Sequence, residues 1–353
     1  MMARFRLLLA NEFKLFRTSI PIHLVAIFQP TVMYLLMAVI LVHPTFDMYV
    51  DRPNTEEGWS LVAAMEEVGS PIGLPYINPI IIDWDGETVT RQVIAVGEQS
   101  GAPIAVQHYG FIDSNLVKNF RNRLTAAALR VWNARLGSGA VTVEEFAWLP
   151  WDLPYTLYFG MALLPMTVFL AASVMGAILT AQEFELGTIV EYRLATVPVA
   201  LILGARLVRL VLSALISAGI LLAAVGLVTG FWPSSLLWVV LILLPVAIIA
   251  GCLGVLAGLL MRKSIPAFLV GLVGTFVGWI LGSGFGLAAG FGKLYETISR
   301  LTPFTHATEL LFSQYYGASI SRPLASALFL AAAATLMLVL TGLAYRWRVM
   351  GQG

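Results

Sequence analysis

Charge is scarce in this sequence. Only 12% of its 353 residues are Asp, Glu, Lys or Arg, while 59% are hydrophobic. Soluble domains carry roughly 25% charged residues, so this chain has about half the usual share. A water-soluble fold of this length could not hide so much apolar surface, and a lipid solvent is required. An excess of either sign is also missing: 21 basic and 20 acidic residues leave a net charge of +1. That balance excludes a strongly basic nucleic-acid binder and a charge-driven disordered chain. Cysteine occurs once, at Cys252, which excludes an intrachain disulfide and any cysteine-based zinc or iron–sulfur centre. Set in an apolar run, Cys252 reads as a small buried hydrophobe. The four histidines, His23, His43, His108 and His306, are scattered. There is no GxxxxGK[ST] loop. The nearest approach, Gly286 to Leu294, has the wrong spacing and no hydroxyl residue after Lys293, so no P-loop ATP site is expected on this chain. HExxH and GxSxG are absent as well, and no catalytic residue, metal ligand set or bound cofactor is assigned. Asn-x-Ser/Thr sequons are lacking, which is compatible with a bacterial inner membrane.

What is present is a series of long charge-free stretches: Arg17 to Asp47, Asp152 to Glu183, Arg209 to Arg262, Lys263 to Lys293 and Arg322 to Arg346. A membrane span needs about 20 apolar residues. The third stretch is long enough for two, with a turn at Gly230–Ser235 (GFWPSS). The expectation is an α-helical polytopic membrane protein with six transmembrane helices, near 20–42, 155–181, 207–229, 236–260, 266–291 and 323–345. The span interiors contain no acid or base, which argues against proton-coupled transport, ion pumping and voltage sensing. With both termini in the cytoplasm, eleven basic residues fall inside and only Lys293, Arg300 and Arg322 in the short outer loops, the bias that sets orientation. The first apolar stretch is too long for a cleavable signal peptide, and no small-residue cleavage site follows.

The chain divides into a cytoplasmic interfacial helix (1–18), a first span (19–42), an extracytoplasmic α/β domain (43–152), and spans two to six (153–353) with a cytoplasmic loop at 182–206. In the first helix, Phe5, Leu8, Leu9, Phe13 and Phe16 recur at helical spacing. Arg6, Lys14 and Arg17 lie elsewhere on its surface, as in a helix lying along a membrane; packing on another subunit is the alternative. In 43–152, a strand ending at Asp83, a turn at Asp85-Gly86, a strand in APIAVQHYG and an amphipathic helix over 114–136 are expected. The apolar face of that helix is Leu116, Val117, Phe120, Leu124, Ala127, Val131 and Leu136. Its basic residues, Lys118, Arg121, Arg123, Arg130 and Arg135, read as a solvated face or as a contact for anionic headgroups or an acidic partner. Asp83, Asp85 and Glu87 miss the calcium-loop spacing because Gly86 comes too early.

Glycine recurs every fourth residue along the fifth span, at Gly274, Gly278, Gly282, Gly286 and Gly290, and again at Gly251, Gly254 and Gly258 in the fourth. Such rows let helix backbones approach closely, either as static packing or as a dimer seam or pathway wall. Tyr155, Tyr158 and Phe159 open the second span as an aromatic belt or a gate. Pro30, Pro165, Pro245 and Pro266 kink or start their helices.

The internal loop Ala181–Arg209 reads AQEFELGTIVEYRLATVPVALILGARLVR. Glu183 and Glu185 suit a helix N-terminus, Gly187 permits a sharp turn and Pro198 starts the next segment. Here the sequence resembles ABC transporter permeases of the type-2, exporter-like class, in the branch with a large extracytoplasmic domain after the first span. Glu183, Glu185, Gly187, Thr188 and Ile189 match that family's E-x-E-x-G-T-aliphatic stretch in place. Glu191 follows one residue late, Thr196 and Pro198 carry its Thr-Pro element, and Gly204 with Arg206 stands for Gly-Lys. Leu9–Pro30 is similar to the family's connecting helix and first span. Pro303, Thr305 and Glu309 match its N-P-x-T-x-x-x-E segment.

The resemblance implies a permease subunit without its own nucleotide site, dimerising with a second copy or a homologue and docking a separate ATPase that holds ATP and Mg. Coupling would fall to Glu183, Glu185, Gly187, Thr188, Glu191, Arg193 and Pro198, with Arg6, Glu12, Lys14 and Arg17 on the connecting helix. A pathway or dimer seam would involve Tyr155, Tyr158, Phe159, Gly274, Gly278, Gly282 and Gly286. Export of an amphipathic drug, lipid or lipid-linked molecule across the inner membrane is the implied role. Membrane lipids and an envelope protein at the external domain are further implied partners. A channel or a scaffold with an external sensor domain is the reading from another class; a channel would need rings of polar pore residues.

Overall fold

The computed structural model describes residues 2–18, 20–41, 46–69, 75–85, 93–99, 102–109, 114–136, 155–194, 197–282, 284, 293–317 and 322–350. They form two compact units, one of residues 1–39 and 154–353 and one of residues 40–153.

The smaller unit holds β1 (Phe46–Asp51), α3 (Glu56–Glu67), β2 (Ile77–Ile82), β3 (Val93–Gln99), β4 (Ala102–Tyr109) and α4 (Ser114–Leu136). The sheet order is β2-β1-β3-β4. β1 runs parallel to both β2 and β3, and β3 pairs antiparallel with β4. A parallel neighbour requires a crossover, and α3 supplies it between β1 and β2. Thr55 caps α3 by accepting the Gly58 N–H at 3.1 Å, and two acids follow in its first turn, the charge that a helix start favours. Met48, Val50, Leu61, Met65, Ile77, Ile94, Ala127 and Val131 make the core. β1 and α3 escaped the sequence reading because both are short and bounded by Pro and charged residues. α4 occupies the expected range and buries Ala127 and Val131. Its basic face is partly spent inside the unit. Arg123 donates to the Tyr76 carbonyl at 2.9 Å and lies over the Tyr76 ring, and burial lowers its pKa. Arg130 donates to the Glu67 carbonyl. Asp83 pairs with Arg52 at 3.1 Å, and no group of three or more potential metal ligands occurs among the described residues. Gly86 and Glu87 lie outside those residues, as do the side chains of Lys118, Arg121 and Arg135.

The larger unit is all helical: α1 (Met2–Thr18), α2 (Ile20–Leu41), α5 (Tyr155–Glu185), α6 (Ile189–Leu194), α7 (Val199–Thr229), α8 (Leu236–Met261), α9 (Ser264–Leu281), α10 (Lys293–Ser299), α11 (Pro303–Tyr316) and α12 (Pro323–Tyr345), closed by a π-helical turn at Arg346–Met350. Five of these, α5, α7, α8, α9 and α12, are long and apolar enough to cross a membrane; in α2 the apolar part is His23–Val39.

α5 is the axle of the bundle. Its apolar window is wholly buried, whereas those of α9 and α12 are mostly exposed. Small residues make this possible. An added Cβ at Gly254 would stand 2.2 Å from the Ser173 carbonyl oxygen, and one at Gly258 2.6 Å from that of Ala177. The backbones of α8 and α5 therefore touch, the arrangement that small-xxx-small rows permit. Ser173 and Thr275 share a hydrogen bond at 3.1 Å, and the Trp279 indole donates to the Ala162 carbonyl at 2.9 Å, fixing α9 to α5. Cys252 is buried in α8 as a small hydrophobe.

Two expectations need correction. The fifth span was placed at 266–291, but α9 ends at Leu281, where the Gly282 N–H turns back to Gly278 and Trp279. Phe304 and Thr302 occupy the space beside Gly282, so continuing the helix with any larger residue there would clash. The glycines consequently do not make one stripe: Gly274 meets open space, Gly278 and Gly282 pack on Phe304, and Gly286 and Gly290 lie outside the described residues. The third span, placed at 207–229 with Arg209 near its start, begins eight residues earlier at Val199 and so takes in Arg206 as well; α7 therefore carries two buried arginines, against the expectation of span interiors without acid or base.

Candidate functional site

Those two arginines define the site. Both are 1% exposed. A guanidinium cannot lose its charge at ordinary pH, so each must be answered by acceptors. Glu12 of α1 supplies most of them. Its Oε1 accepts from Arg206 Nε at 3.4 Å and Nη2 at 3.3 Å, and its Oε2 from Arg209 Nη1 at 3.0 Å. Arg206 Nη2 also donates to Glu183 at the end of α5, and its Nη1 to the Thr180 hydroxyl at 3.2 Å. Arg209 Nη2 reaches His23 Nε2 of α2 at 2.7 Å, and since arginine only donates, that nitrogen accepts and the proton sits on Nδ1. The Tyr192 hydroxyl of α6 donates to Glu183 at 2.9 Å. Burial, reinforced by the Glu183 charge, raises the Tyr192 pKa and keeps it a donor. Tyr345, wholly buried at the foot of α12, stands beside Arg206.

Two carboxylates and two guanidinium groups thus cancel in a water-poor site. They join α1, α2, α5, α6, α7 and α12 at one end of the bundle. Buried ion pairs add little net stability when complete, but loss of one partner leaves an uncompensated charge that costs about 3–5 kcal/mol. The cluster is therefore a rigid coupler: none of these elements can move alone without opening it.

The loop predicted to receive a partner has a different shape from the expectation. Glu183 and Glu185 sit in the last turn of α5, not at a helix start. Carboxylates at a helix C-terminus oppose its dipole, and each is compensated elsewhere, Glu183 by Arg206 and Glu185 by α9. Lys263, the N-cap of α9, offers no side-chain acceptor. Glu185 takes its place, accepting the Ser264 N–H at 3.0 Å and the Ser264 hydroxyl. Gly187 follows at φ +72°, a conformation that L-residues with a side chain rarely adopt. It turns the chain into α6, and Pro198 starts α7. Thr188 donates to the Glu183 carbonyl at 3.5 Å. Glu191 and Pro198 are exposed. Arg193 lies on α6 and Arg17 on α1, their side chains outside the described residues; Arg6 and Lys14 are exposed. Replacing Glu185 with Lys should uncap α9 as well as reverse a surface charge. The expected result is a modest loss of stability, the effect of removing a helix cap, read as a lower melting temperature of the purified chain.

On α1 it is Glu12 that is buried, while Phe13 is 43% exposed. Glu12 continues the row Phe5, Leu8/Leu9 at helical spacing and packs that row on α7. Sequence reading passed over Arg209, His23, Thr180 and Tyr192; the only sequence signal was a Glu placed in line with apolar neighbours. Tyr158 and Phe159 face the bundle interior, Phe159 edge-on to Trp279 at 6.1 Å and Tyr158 against Phe312 at 5.9 Å. Tyr155 opens α5, its side chain outside the described residues.

Residues 144–343 match the family model described as ABC-2 family transporter protein, more than half of the chain and the whole of α5–α11. The chain belongs to the ABC-2 transporter family. The chain matches none of the curated proteins and none of the solved structures with which it was compared. As an ABC-2 family member it is a multi-pass membrane protein, the permease subunit of an ABC transporter, and its working partner is an ABC ATPase subunit. The site described above draws on α1 and α2, which precede the matched region, on α5, α6 and α7 within it, and on Tyr345 of α12 just past its end.

Proposed function

We propose that this ABC-2 permease is the membrane half of an ATP-driven exporter. Its α1 helix and its α5–α6–α7 elbow lie on the cytoplasmic side and receive the motion of a separate ATPase, which binds ATP and Mg. Two copies, or this chain and a homologue, make the membrane unit, and the cargo is an amphipathic drug, a lipid or a lipid-linked molecule leaving the cytoplasm or inner leaflet. The small α/β unit then stands outside the inner membrane, free for an envelope partner. The excess of basic residues flanking the spans on the proposed cytoplasmic side supports this orientation.

One observation carries the reading: Arg206 bridges Glu12 of α1 and Glu183 of α5 inside the protein. A push on α1 or on the elbow is transmitted to α5, the helix around which the bundle is packed. The outer surface of the elbow remains available, with Leu186, Val190 and Leu194 exposed on it beside Glu191. Exposed apolar side chains beside acids suit a protein partner.

Glu191→Lys tests this. The variant should insert and melt like the wild type, because Glu191 is exposed, while ATPase stimulation in the co-purified complex falls about tenfold, the effect of placing a like charge in a steered contact. Unchanged stimulation with intact assembly would remove the elbow from the docking surface. Capture of the tagged chain from its native membranes, with mass spectrometry of the eluate, tests the larger reading. A stoichiometric P-loop ATPase is expected, and a preparation free of any such partner would overturn it.

A further inference from the structure

A second polar cluster sits at the other end of the bundle. Ser326 and Tyr345 are both on α12, 19 residues or about 28 Å apart along the helix, so this cluster is remote from the Arg206 site. Its members are His306 and Glu309 of α11 and Ser326 of α12. Ser326 Oγ lies 3.0 Å from His306 Nδ1 and 3.0 Å from Glu309 Oε2. His306 Nε2 lies 2.9 Å from the Arg300 carbonyl oxygen. The imidazole stacks on Phe329 with ring centres 4.1 Å apart. Ser326 is 3% exposed.

The hydrogen-bond polarity of this chain is constrained. A carbonyl oxygen only accepts, so Nε2 must carry a hydrogen. Ser326 has one hydrogen and two neighbours to satisfy. If the hydroxyl donates to the Glu309 carboxylate, Nδ1 must donate to Ser326, and His306 is an imidazolium. If the hydroxyl donates to Nδ1, the imidazole is neutral and Glu309 must bring the proton to Ser326. Both arrangements hold one proton more than a neutral imidazole and a free carboxylate together. Without that proton, the single serine hydrogen can serve His306 or Glu309 but not both, and the remaining contact sets two acceptors against each other.

We propose that His306, Ser326 and Glu309 form a proton-binding site that fastens α11 to α12 while the proton is present. The imidazolium–carboxylate arrangement is the favoured one, since His306 and Glu309 are both partly exposed and keep some hydration, and a positive ring gains from stacking on Phe329. The other charged groups around the site are few. Glu296 of α10 is engaged with Arg300 at 2.6 Å, and Arg322 stands exposed at the head of α12. α5 and α8, which also pack on α11, bring no acid or base to it; Tyr158 of α5 packs on Phe312 of α11. The site gives this end of the bundle a response to the pH of the compartment it faces. Above the pH at which the proton leaves, one of the two links to Ser326 is lost and α11 loosens from α12.

The test uses the full chain in lipid nanodiscs, labelled with ¹⁵N-histidine and titrated with hydroxide and acid alone. His306 is identified by the signal that disappears in His306→Gln. Both of its ring nitrogens should carry hydrogen at acidic pH. Release of one proton should coincide with faster amide exchange across Pro303–Tyr316, after correction for the intrinsic pH dependence. In Glu309→Gln the cluster has lost the carboxylate that the proton bridges to, so release should move to more acidic pH than in the wild type. Ser326→Ala should uncouple release from amide exchange. A neutral His306 across the range would overturn the proposal. So would a release point shared by wild type and Glu309→Gln, or exchange indifferent to that release. The wild-type titration alone decides the first of these, so the test survives a variant that fails to fold.

Discussion

Arg206→Met should abolish ATP-dependent transport and lower the stability of the protein by about 3–5 kcal/mol, the cost of leaving a buried charge without its partner. Methionine fills much of the same volume, so the loss is electrostatic. Glu12 keeps one contact through Arg209, whereas Glu183 keeps only Tyr192 among the contacts described. Glu183 already has one carboxylate oxygen, Oε2, without a hydrogen-bond partner, so it has no reserve. Thermal unfolding of the purified chain in detergent reads the stability. The double variant Glu183→Gln, Arg206→Met separates fold from coupling. It leaves Glu12 paired with Arg209 and no net buried charge, so the melting temperature should recover in large part. Transport and ATPase stimulation should not, because the ionic link from α7 to α5 through Arg206 and Glu183 is gone. Full recovery of transport in the double variant would show that the cluster is only structural.

Gly254→Leu should prevent assembly of the bundle, while Gly274→Leu should leave it intact. At Gly254 the first added carbon would fall 2.2 Å from a backbone oxygen of α5. Backbone cannot rotate away as a side chain can, so α5 and α8 would have to separate along their length. Overpacking a well-filled core costs about 1–3 kcal/mol when side chains can yield, and this site should exceed that. At Gly274 nothing lies within 4 Å, and the surrounding face of α9 exposes Val270, Val273 and Val277. If this face is a seam with a second copy, Gly274→Leu should yield a stable protomer that no longer dimerises, read by crosslinking and by size in detergent. Stable dimers in that variant would turn the exposed face of α9 toward lipid. Gly282→Leu belongs with Gly254→Leu, since the space beside Gly282 is taken by Phe304 and Thr302 of the same chain.

Much of this architecture is legible in the sequence. Charge-free stretches locate the spans because a charge in hydrocarbon is costly whatever the fold. The turn at Gly230, the break at Gly187 and the start at Pro198 are local backbone properties, and all three stand where their residue types place them. The order of the motifs around Glu183, Pro198 and Glu309 was enough to point to the family. The boundaries of α7 and α9 were not legible, because arginine and glycine end a helix or continue it according to what surrounds them. Arg206 and Arg209 stay helical since Glu12 and Glu183 neutralise them. Position 282 takes glycine because Phe304 and Thr302 fill the space a Cβ would need.

What the sequence by itself determined is each segment's solvent: which stretches lie in lipid, which unit is polar, and which loop carries acid. Those are sums over neighbouring residues, and hydrophobic burial follows them without regard to partners. Only the tertiary structure decided which charges are paired. Glu12 and Arg206 are 194 positions apart, Glu185 and Ser264 are 79 apart, and His306 meets Ser326 across a helical hairpin. Such pairs form because a buried charge or an open helix end must find its complement wherever folding places it, and no local pattern records that choice.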